Sequence, residues 1–425
     1  MPGHAGGAGA PVSAPPVPAG SLPAANGRGV TLVLPGPISY DGCAYRIFKP
    51  YGQLASSLCG HFGSVTVCGH VLRPGHPGFR TDDPLLDPRV RVEPLPTPPS
   101  GSAKMLPALW HHLHSAVRVV RRIRRWDVVY AFIPSYQGGV AYTVNHFFHR
   151  RPAAVYLAND WEEIAPYTFR WGGVRGLLFR PYRFLLTRWE AWMMRTTRLG
   201  LTAGRALLGK YGGGGRPVYE TAPILEMKPP DMVRRDDTCA AGPVRLLYVG
   251  GLNRRKGVPV LLEALQELRR EGREVTLDIV GEGPERAALA VQAARHGLGG
   301  HVAFHGFVAP GAGLFGFYRR ADIFVLPTYS EGFPRVIYEA MGHSLPVVAS
   351  AVSGIPFLLR DGHEALLVPP GDARALAGSL RRVMDDGELR RSLIREGFAL
   401  VGPIMARDPA AQFAQLFREH LSGAE

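Results

Sequence analysis

Short β-branched runs alternate with helix-like stretches along this chain, in two series separated by a single break. The first series opens with "VTLVLPG" (30–36), a buried strand running into a Pro-Gly loop. "SVTVCGH" (64–70), "WDVVYAFIP" (126–134), "AAVYLAND" (153–160) and "RLGLTAG" (198–204) repeat that form, with helix-like stretches at 104–125 and 174–197. Such alternation predicts an α/β fold with parallel sheets covered on both faces. Around 212–243 the period fails in a stretch rich in Gly, Pro and charge, which predicts a linker. The alternation then resumes with strands at 244–251, 275–283, 302–308, 321–327, 346–350 and 365–372, and helices at 258–271, 284–297, 314–320 and 335–342. A chain of 425 residues exceeds one ordinary core. The expected organisation is a disordered Gly/Ala/Pro tail (1–28), a doubly wound domain (29–222), a linker (223–243), a second doubly wound domain (244–403) and a C-terminal segment (404–425) whose helix, near 408–421, returns to the first domain. Ligands of such sheets bind outside the strand carboxyl ends, so two sheets facing each other make a central cleft.

Within the second series, "SEGFPRVIYEA" (330–340) sets Glu331 and Glu339 eight residues apart. On one continuous helix they would lie ~80° apart around the axis and ~12 Å along it, too far to grip one small group. Pro334 favours a first helical turn, which leaves Glu331 and Gly332 in the preceding loop and Glu339 in the second turn, facing the cleft. Two carboxylates so placed suit hydroxyls at the two ends of an extended ligand. The competing reading is helix chemistry alone, with Arg335 and Glu339 forming a surface pair. "YVGGLNRRKGVPVLLEAL" (248–265) reads as strand, glycine loop and helix, with Arg254, Arg255 and Lys256 just before the helix N-terminus, an arrangement suited to a diphosphate. It lacks the P-loop spacing. "IVGEGPER" (279–286) adds a second strand–glycine–helix turn with Gly281 and Gly283.

Taken in order, "GGLNRRKG", "VGEGPER", "VAFHGFV", "ADIFVLPTYSEGFPRVIYEAMGHSLPVVAS" and "GHEALLVPPGD" resemble the family 4 retaining glycosyltransferases of the GT-B fold, strongly over 244–400 and weakly over 30–210. The resemblance implies two Rossmann-like domains: an N-terminal acceptor domain and a C-terminal nucleotide-sugar domain. It implies that Glu331 is the first acid of the EX7E motif, on the donor sugar hydroxyls, and Glu339 the second, on the ribose. Gly332 and Phe333, with Pro334 and Val336 beside them, correspond to the segment near sugar and phosphate, Lys256 to the diphosphate lysine, and Val308 to the base-holding segment. Many members carry an arginine where this chain has Gly251. Either Arg254 or Arg255 supplies that second cation, or donor affinity is weaker.

The first half is less informative. After its first strand "PISYDGCAYR" (37–46) offers only Gly42 as a loop for acceptor or phosphate. "AAVYLAND" ends in Asn159 and Asp160, and Asp160 is read as a polar contact to donor sugar or acceptor, or equally as an N-cap. "WHHLH" (110–114) has no Cys or carboxylate beside it, and neither it nor the resemblance calls for a metal. Cys43, Cys59, Cys68 and Cys239 show no paired spacing and fit packing in a reducing compartment.

Net charge is +14, and residues 104–216 hold 18 Lys and Arg against 5 Asp and Glu. "VRVVRRIRRW" and "LLFRPYRFLLTRWEAWMMR" mix cations with apolar residues. A helix packed on its sheet with a solvated basic side is the preferred reading, and a helix lying on anionic lipid the alternative. No apolar run reaches the ~20 residues of a membrane span, and the N-terminus has no secretory pattern, so a cytoplasmic protein, peripheral to the inner membrane face at most, is expected. The expected reaction moves a sugar from a UDP- or GDP-type donor to a carbohydrate, lipid-linked or small-molecule acceptor, with no cofactor, no metal and no nucleic acid partner. Two rivals are a nucleotide-sugar epimerase on the same fold and a non-catalytic lipid- or nucleic-acid-binding protein.

Overall fold

The computed structural model describes residues 25–81, 83–98, 105–161, 174–213, 215–239, 242–331 and 334–422. The first sheet contains β1 (Ala25–Val33), β2 (Ile38–Tyr40), β3 (Tyr45–Ile47), β4 (Phe62–Leu72), β5 (Val90–Leu95), β6 (Val128–Ile133), β7 (Ala153–Leu157), β8 (Leu199–Thr202) and β9 (Val218–Glu220). Their order is β3-β2-β4-β1-β6-β7-β8-β9, with β5 also beside β4. Among the described strands the β2–β3 hairpin is the one antiparallel pair. The second sheet contains β10 (Val244–Val249), β11 (Val275–Val280), β12 (Val302–Gly306), β13 (Ile323–Leu326), β14 (Val347–Ser350) and β15 (Leu366–Val368), all parallel, in the order β12-β11-β10-β13-β14-β15.

Both sheets are covered on two faces, which is why their central strands are continuous apolar runs. Every residue of β6, β13 and β14 is buried. One face of the first sheet packs on helix Lys49–Leu58 and on helix Pro409–His420, whose Phe413 ring stacks on Tyr130 at 4.1 Å. The other face packs on helices Met105–Arg122, Tyr136–Val144 and Val174–Thr196. Thus the C-terminal helix lies on the first sheet. Asp408 caps it by accepting from the Ala410 amide at 2.8 Å, and Gln412 fixes it to Ala222 and Glu220.

Two boundaries differ from expectation. Residues 25–28 belong to β1 rather than to a tail, because their backbone continues the ladder beside β4; residues 1–24 lie outside the described residues. The stretch after β9 is irregular but tied to the second unit. The Arg235 guanidinium donates to the carbonyls of His343, Ala321, Arg319 and Tyr318, four helix-end acceptors that would otherwise be orphaned.

Residues following the strand ends of the two sheets meet across the gap between them. Lys49 ion-pairs with Glu226 at 3.1 Å and donates to the Pro310 carbonyl at 3.3 Å. The Arg335 guanidinium lies 5.1 Å from the Phe48 ring, and that of Arg80 lies 4.9 Å from Phe307.

Candidate functional site

In the second sheet the chain runs outward in one direction through β11 and β12 and in the other through β13, so the strand order reverses between β10 and β13. The loops leaving the carboxyl ends at such a switch point diverge and leave a crevice. Lys256 follows β10, Gly281 and Gly283 follow β11, Val308 follows β12 and Glu331 follows β13. The structure therefore gathers residues 75 positions apart: the Lys256 ammonium ion-pairs with the Glu331 carboxylate, both mostly shielded from solvent. Gly332 and Phe333 lie outside the described residues.

Backbone contacts hold that pair in place. Arg254–Lys256 form a single 3-10 turn, and the Arg255 carbonyl accepts from the Tyr329 amide at 2.7 Å and the Thr328 hydroxyl at 3.0 Å. The Thr328 Oγ1 also lies 2.9 Å from the Ser330 carbonyl, so the one proton of this buried hydroxyl is shared between the two loops. Gly257 sits at φ +65°, and a Cβ there would stand 1.9 Å from the Pro327 carbonyl oxygen. Gly257→Ala accordingly lowers stability by on the order of 3 kcal/mol; a denaturant midpoint equal to wild type would contradict this reading of the loop contact. Gly281 and Gly283 have the same kind of cause: a Cβ on either would fall about 2 Å from a carbonyl oxygen, that of Gly250 or Leu252. They let the loops after β10 and β11 lie against each other.

Arg254 points outward and pairs with Glu285 at 3.2 Å. Arg255 takes no carboxylate partner among the described residues. Gly251 is exposed, and its carbonyl accepts from the buried Tyr248 hydroxyl at 3.0 Å. Val308 and Val336 are partly buried against the second core.

Glu339 lies in the second turn of helix Arg335–Gly342, and Pro334 is the residue before that helix rather than inside its first turn. The Glu339 side chain is buried, and its Oε2 accepts from the Tyr318 hydroxyl at 2.8 Å. Burial pushes its carboxyl up to about 7, against the pull of Tyr318 and Arg335. No Arg335–Glu339 ion pair forms, because Arg335 turns instead to the Phe48 ring of the first unit. The surface-pair reading of these two residues therefore fails.

In the first unit Asp160, just beyond β7, is buried and ion-pairs with Lys210. Behind it lies Glu190, fully buried, accepting from the Tyr211 hydroxyl at 2.9 Å and the Trp161 amide at 3.2 Å. Burial, reinforced by the Asp160 charge, pushes Glu190 up to about 8. The folded chain thus holds a proton that an unfolded chain releases near 4.5, so this group costs stability as pH rises from about 4.5 to 8. The thermal midpoint of Glu190→Gln, measured against wild type, climbs across that window; a difference independent of pH would overturn the assignment. Gly42 forms the tip of the β2–β3 hairpin at φ +104°, with the turn closed by Asp41 accepting from the Cys43 and Ala44 amides. His111 of "WHHLH" packs against His70 and His112, and no cluster of metal-ligating side chains occurs among the described residues.

Sequence reasoning passed over Thr328, Gly257, Tyr318 and Ser330, whose buried Oγ beside Glu331 takes no partner among the described residues. The signal available for three of them was proximity to the two motifs. Tyr318 had none, being 21 positions from the acid it serves.

Comparison with known proteins bears on the same region. A family profile described as "Glycosyl transferases group 1" matches residues 243–386. Sucrose-phosphate synthase from Thermosynechococcus elongatus aligns over 92% of this chain and 98% of its own, with TM-score 0.68 at 20% identity. The chain has the GT-B fold. Anabaena Alr3699/HepE, solved in complex with UDP and glucose, shares that fold at TM-score 0.64 and 20% identity, over 93% of this chain and 99% of its own. In sequence, alpha-D-kanosaminyltransferase of Streptomyces kanamyceticus is 33% identical over 41% of this chain and 45% of its own. The chain spans about half or less of the curated relatives it matches. Arg335 against the Phe48 ring and Lys49 on the Pro310 carbonyl bring the segments that follow β12 and β13 against the first unit.

Proposed function

We propose that this protein is a retaining glycosyltransferase that moves a sugar from a nucleoside diphosphate sugar to an acceptor hydroxyl. The observation that carries this reading is the Lys256–Glu331 pair at the switch point, with Glu339 buried on the helix that follows. An ammonium has three donors, so Lys256 can stay on Glu331 and still give two hydrogen bonds to phosphate oxygens. Glu331 then accepts from hydroxyls of the sugar that the diphosphate carries, while the Oε1 of Glu339 accepts from the ribose. Arg255, in the same turn and with no carboxylate partner among the described residues, is the better candidate for the second cation than Arg254, which is engaged with Glu285.

The reaction breaks the bond between the anomeric carbon and the diphosphate oxygen and forms one to the acceptor oxygen on the same face. The acceptor proton passes to the leaving diphosphate, so no protein nucleophile is needed. Lys256 and the neighbouring helix start lower the barrier by stabilising charge that develops on the leaving oxygen. The first unit supplies the acceptor, with Asp160 the candidate polar contact and the Gly42 hairpin the candidate edge. Closure of the two units excludes water.

Incubation with a panel of UDP- and GDP-sugars, with and without mixed carbohydrate and lipid-linked acceptors, tests this reading. Acceptor-dependent release of nucleoside diphosphate with a glycosylated product supports it. A new nucleotide sugar formed from donor alone would instead establish an epimerase.

A further inference from the structure

The helices covering the outer face of the first sheet expose residues that packing on that sheet does not explain. Helix Met105–Arg122 buries His111, Ser115 and Val119 along one stripe. Its opposite face exposes Trp110 (63%), Leu113 (52%), Val117 (40%) and Val120 (41%). These four fall within an arc of ~80°, and His114, Arg121 and Arg118 occupy the adjoining ~60°. The following turn adds exposed Arg124 and Arg125. Helix Val174–Thr196 repeats the mixture, exposing Phe184 and Leu185 at 63% and 64% among Arg180, Arg183 and Arg188. The two helices flank helix Tyr136–Val144 on one face, linked through Tyr136, whose ring lies 4.7 Å from His112 and 6.3 Å from Trp189.

Charge on this face is one-sided. The three helices contain a single acid, Glu190, and it is fully buried. None of the arginines just named takes a carboxylate partner among the described residues. In the second unit acids share the surface with the arginines, and exposed Arg254, Arg286 and Arg360 pair with Glu285, Glu282 and Glu364. An arginine-rich composition alone would leave both units alike.

We infer that this face docks on an anionic lipid surface, with Trp110, Leu113 and Phe184 entering the interface and Arg118, Arg121 and Arg125 meeting lipid phosphates. The residues lie on the exposed sides of two helices that flank a third on the sheet. Aliphatic Leu and Val, which offer nothing for bases to stack on, alternate with the aromatics. The contact is peripheral, since among the described residues no helix is long and apolar enough to cross a membrane.

Co-sedimentation of the full chain with vesicles tests this, independently of any transferase activity. Wild type is expected to bind phosphatidylcholine vesicles containing phosphatidylglycerol and to leave pure phosphatidylcholine vesicles in solution. Each arginine contributes roughly fivefold at an anionic surface, so Arg118→Ala, Arg121→Ala and Arg125→Ala combined weaken binding on the order of a hundredfold. Trp110→Ser with Leu113→Ser weakens it at high salt as well. All these positions are exposed, so circular dichroism and the thermal midpoint should match wild type. Equal partition onto both vesicle types, or unchanged binding in the arginine variant, overturns the inference. So does arginine-dependent retention of a single-stranded oligonucleotide, or a dimer abolished by Trp110→Ser, if anionic vesicles are not bound.

Discussion

Glu331→Ala lowers turnover by about a hundredfold to a thousandfold and leaves the fold intact. The loss is that of an acceptor fixed on the reacting sugar, where misplacement by a fraction of a bond length is enough to remove most of the rate. The fold survives because Glu331 stands in a loop and its side chain has one described partner, Lys256. Losing that contact leaves the shielded Lys256 ammonium unpaired, so the thermal midpoint falls, without loss of the fold. The fall should appear mainly in kcat, since the diphosphate and ribose contacts that set donor affinity remain. Glu331→Gln, which keeps the shape and one acceptor oxygen, should fall between the two. Turnover near wild type in Glu331→Ala would remove this residue from the mechanism.

Lys256→Ala weakens binding of the matching nucleoside diphosphate by about tenfold to a hundredfold, the range expected for losing a charged hydrogen bond in a shielded site. The bare nucleoside should bind both forms equally, which separates loss of a phosphate contact from general damage to the crevice. Arg255→Ala should act in the same direction and less strongly, and Arg254→Ala least, because its guanidinium is held by Glu285. Unchanged diphosphate affinity in Lys256→Ala would move the phosphate site elsewhere. The variant folds, since the loop is held by Thr328 and Tyr329 bonding to the Arg255 carbonyl, not by the lysine.

Much of this arrangement was legible in the sequence because the second unit obeys local rules. Its strands are apolar, its helices carry a regular apolar period, and each glycine loop stands where a strand meets a helix. The central strands of the first unit, β1, β4, β6, β7 and β8, were readable for the same reason. Helix Lys49–Leu58 was not: Pro50 and Gly52 give "KPYGQLASSL" the look of a loop, and only the structure shows the proline at a helix start and Leu54 and Leu58 against the sheet. Strands β2, β3 and β9 have three residues each, too short for a period of two to stand out. Helices Ala373–Asp385 and Gly387–Met405 went unassigned although Asp372 and Asp386 cap them. The stripe of the second includes the buried Arg390, whereas that of the first, Leu376, Ala377, Leu380 and Val383, is regular and was there to be read.

The site was legible as a set of residues and not as a set of contacts. Spacing gave Glu331 and Glu339 and placed Lys256 near a helix start, but the closure of Lys256 on Glu331 depends on β10 and β13 being neighbours. Pairing of strands that distant leaves no mark in the local pattern. The same holds for Glu339, read as facing the cleft, whose depth follows from Tyr318. Asp160 is the converse case: its sequence context allowed a cap or a ligand, and its ion pair with Lys210 comes from a helix 50 residues away.

The most direct test is the thermal midpoint of wild type and Lys256→Ala against a panel of nucleoside diphosphates, since a ligand that binds only the folded state raises that midpoint. The account predicts that one nucleotide stabilises wild type clearly and Lys256→Ala much less. No stabilisation of wild type by any of them, or equal stabilisation of both forms, would contradict a donor site at Lys256 and Glu331.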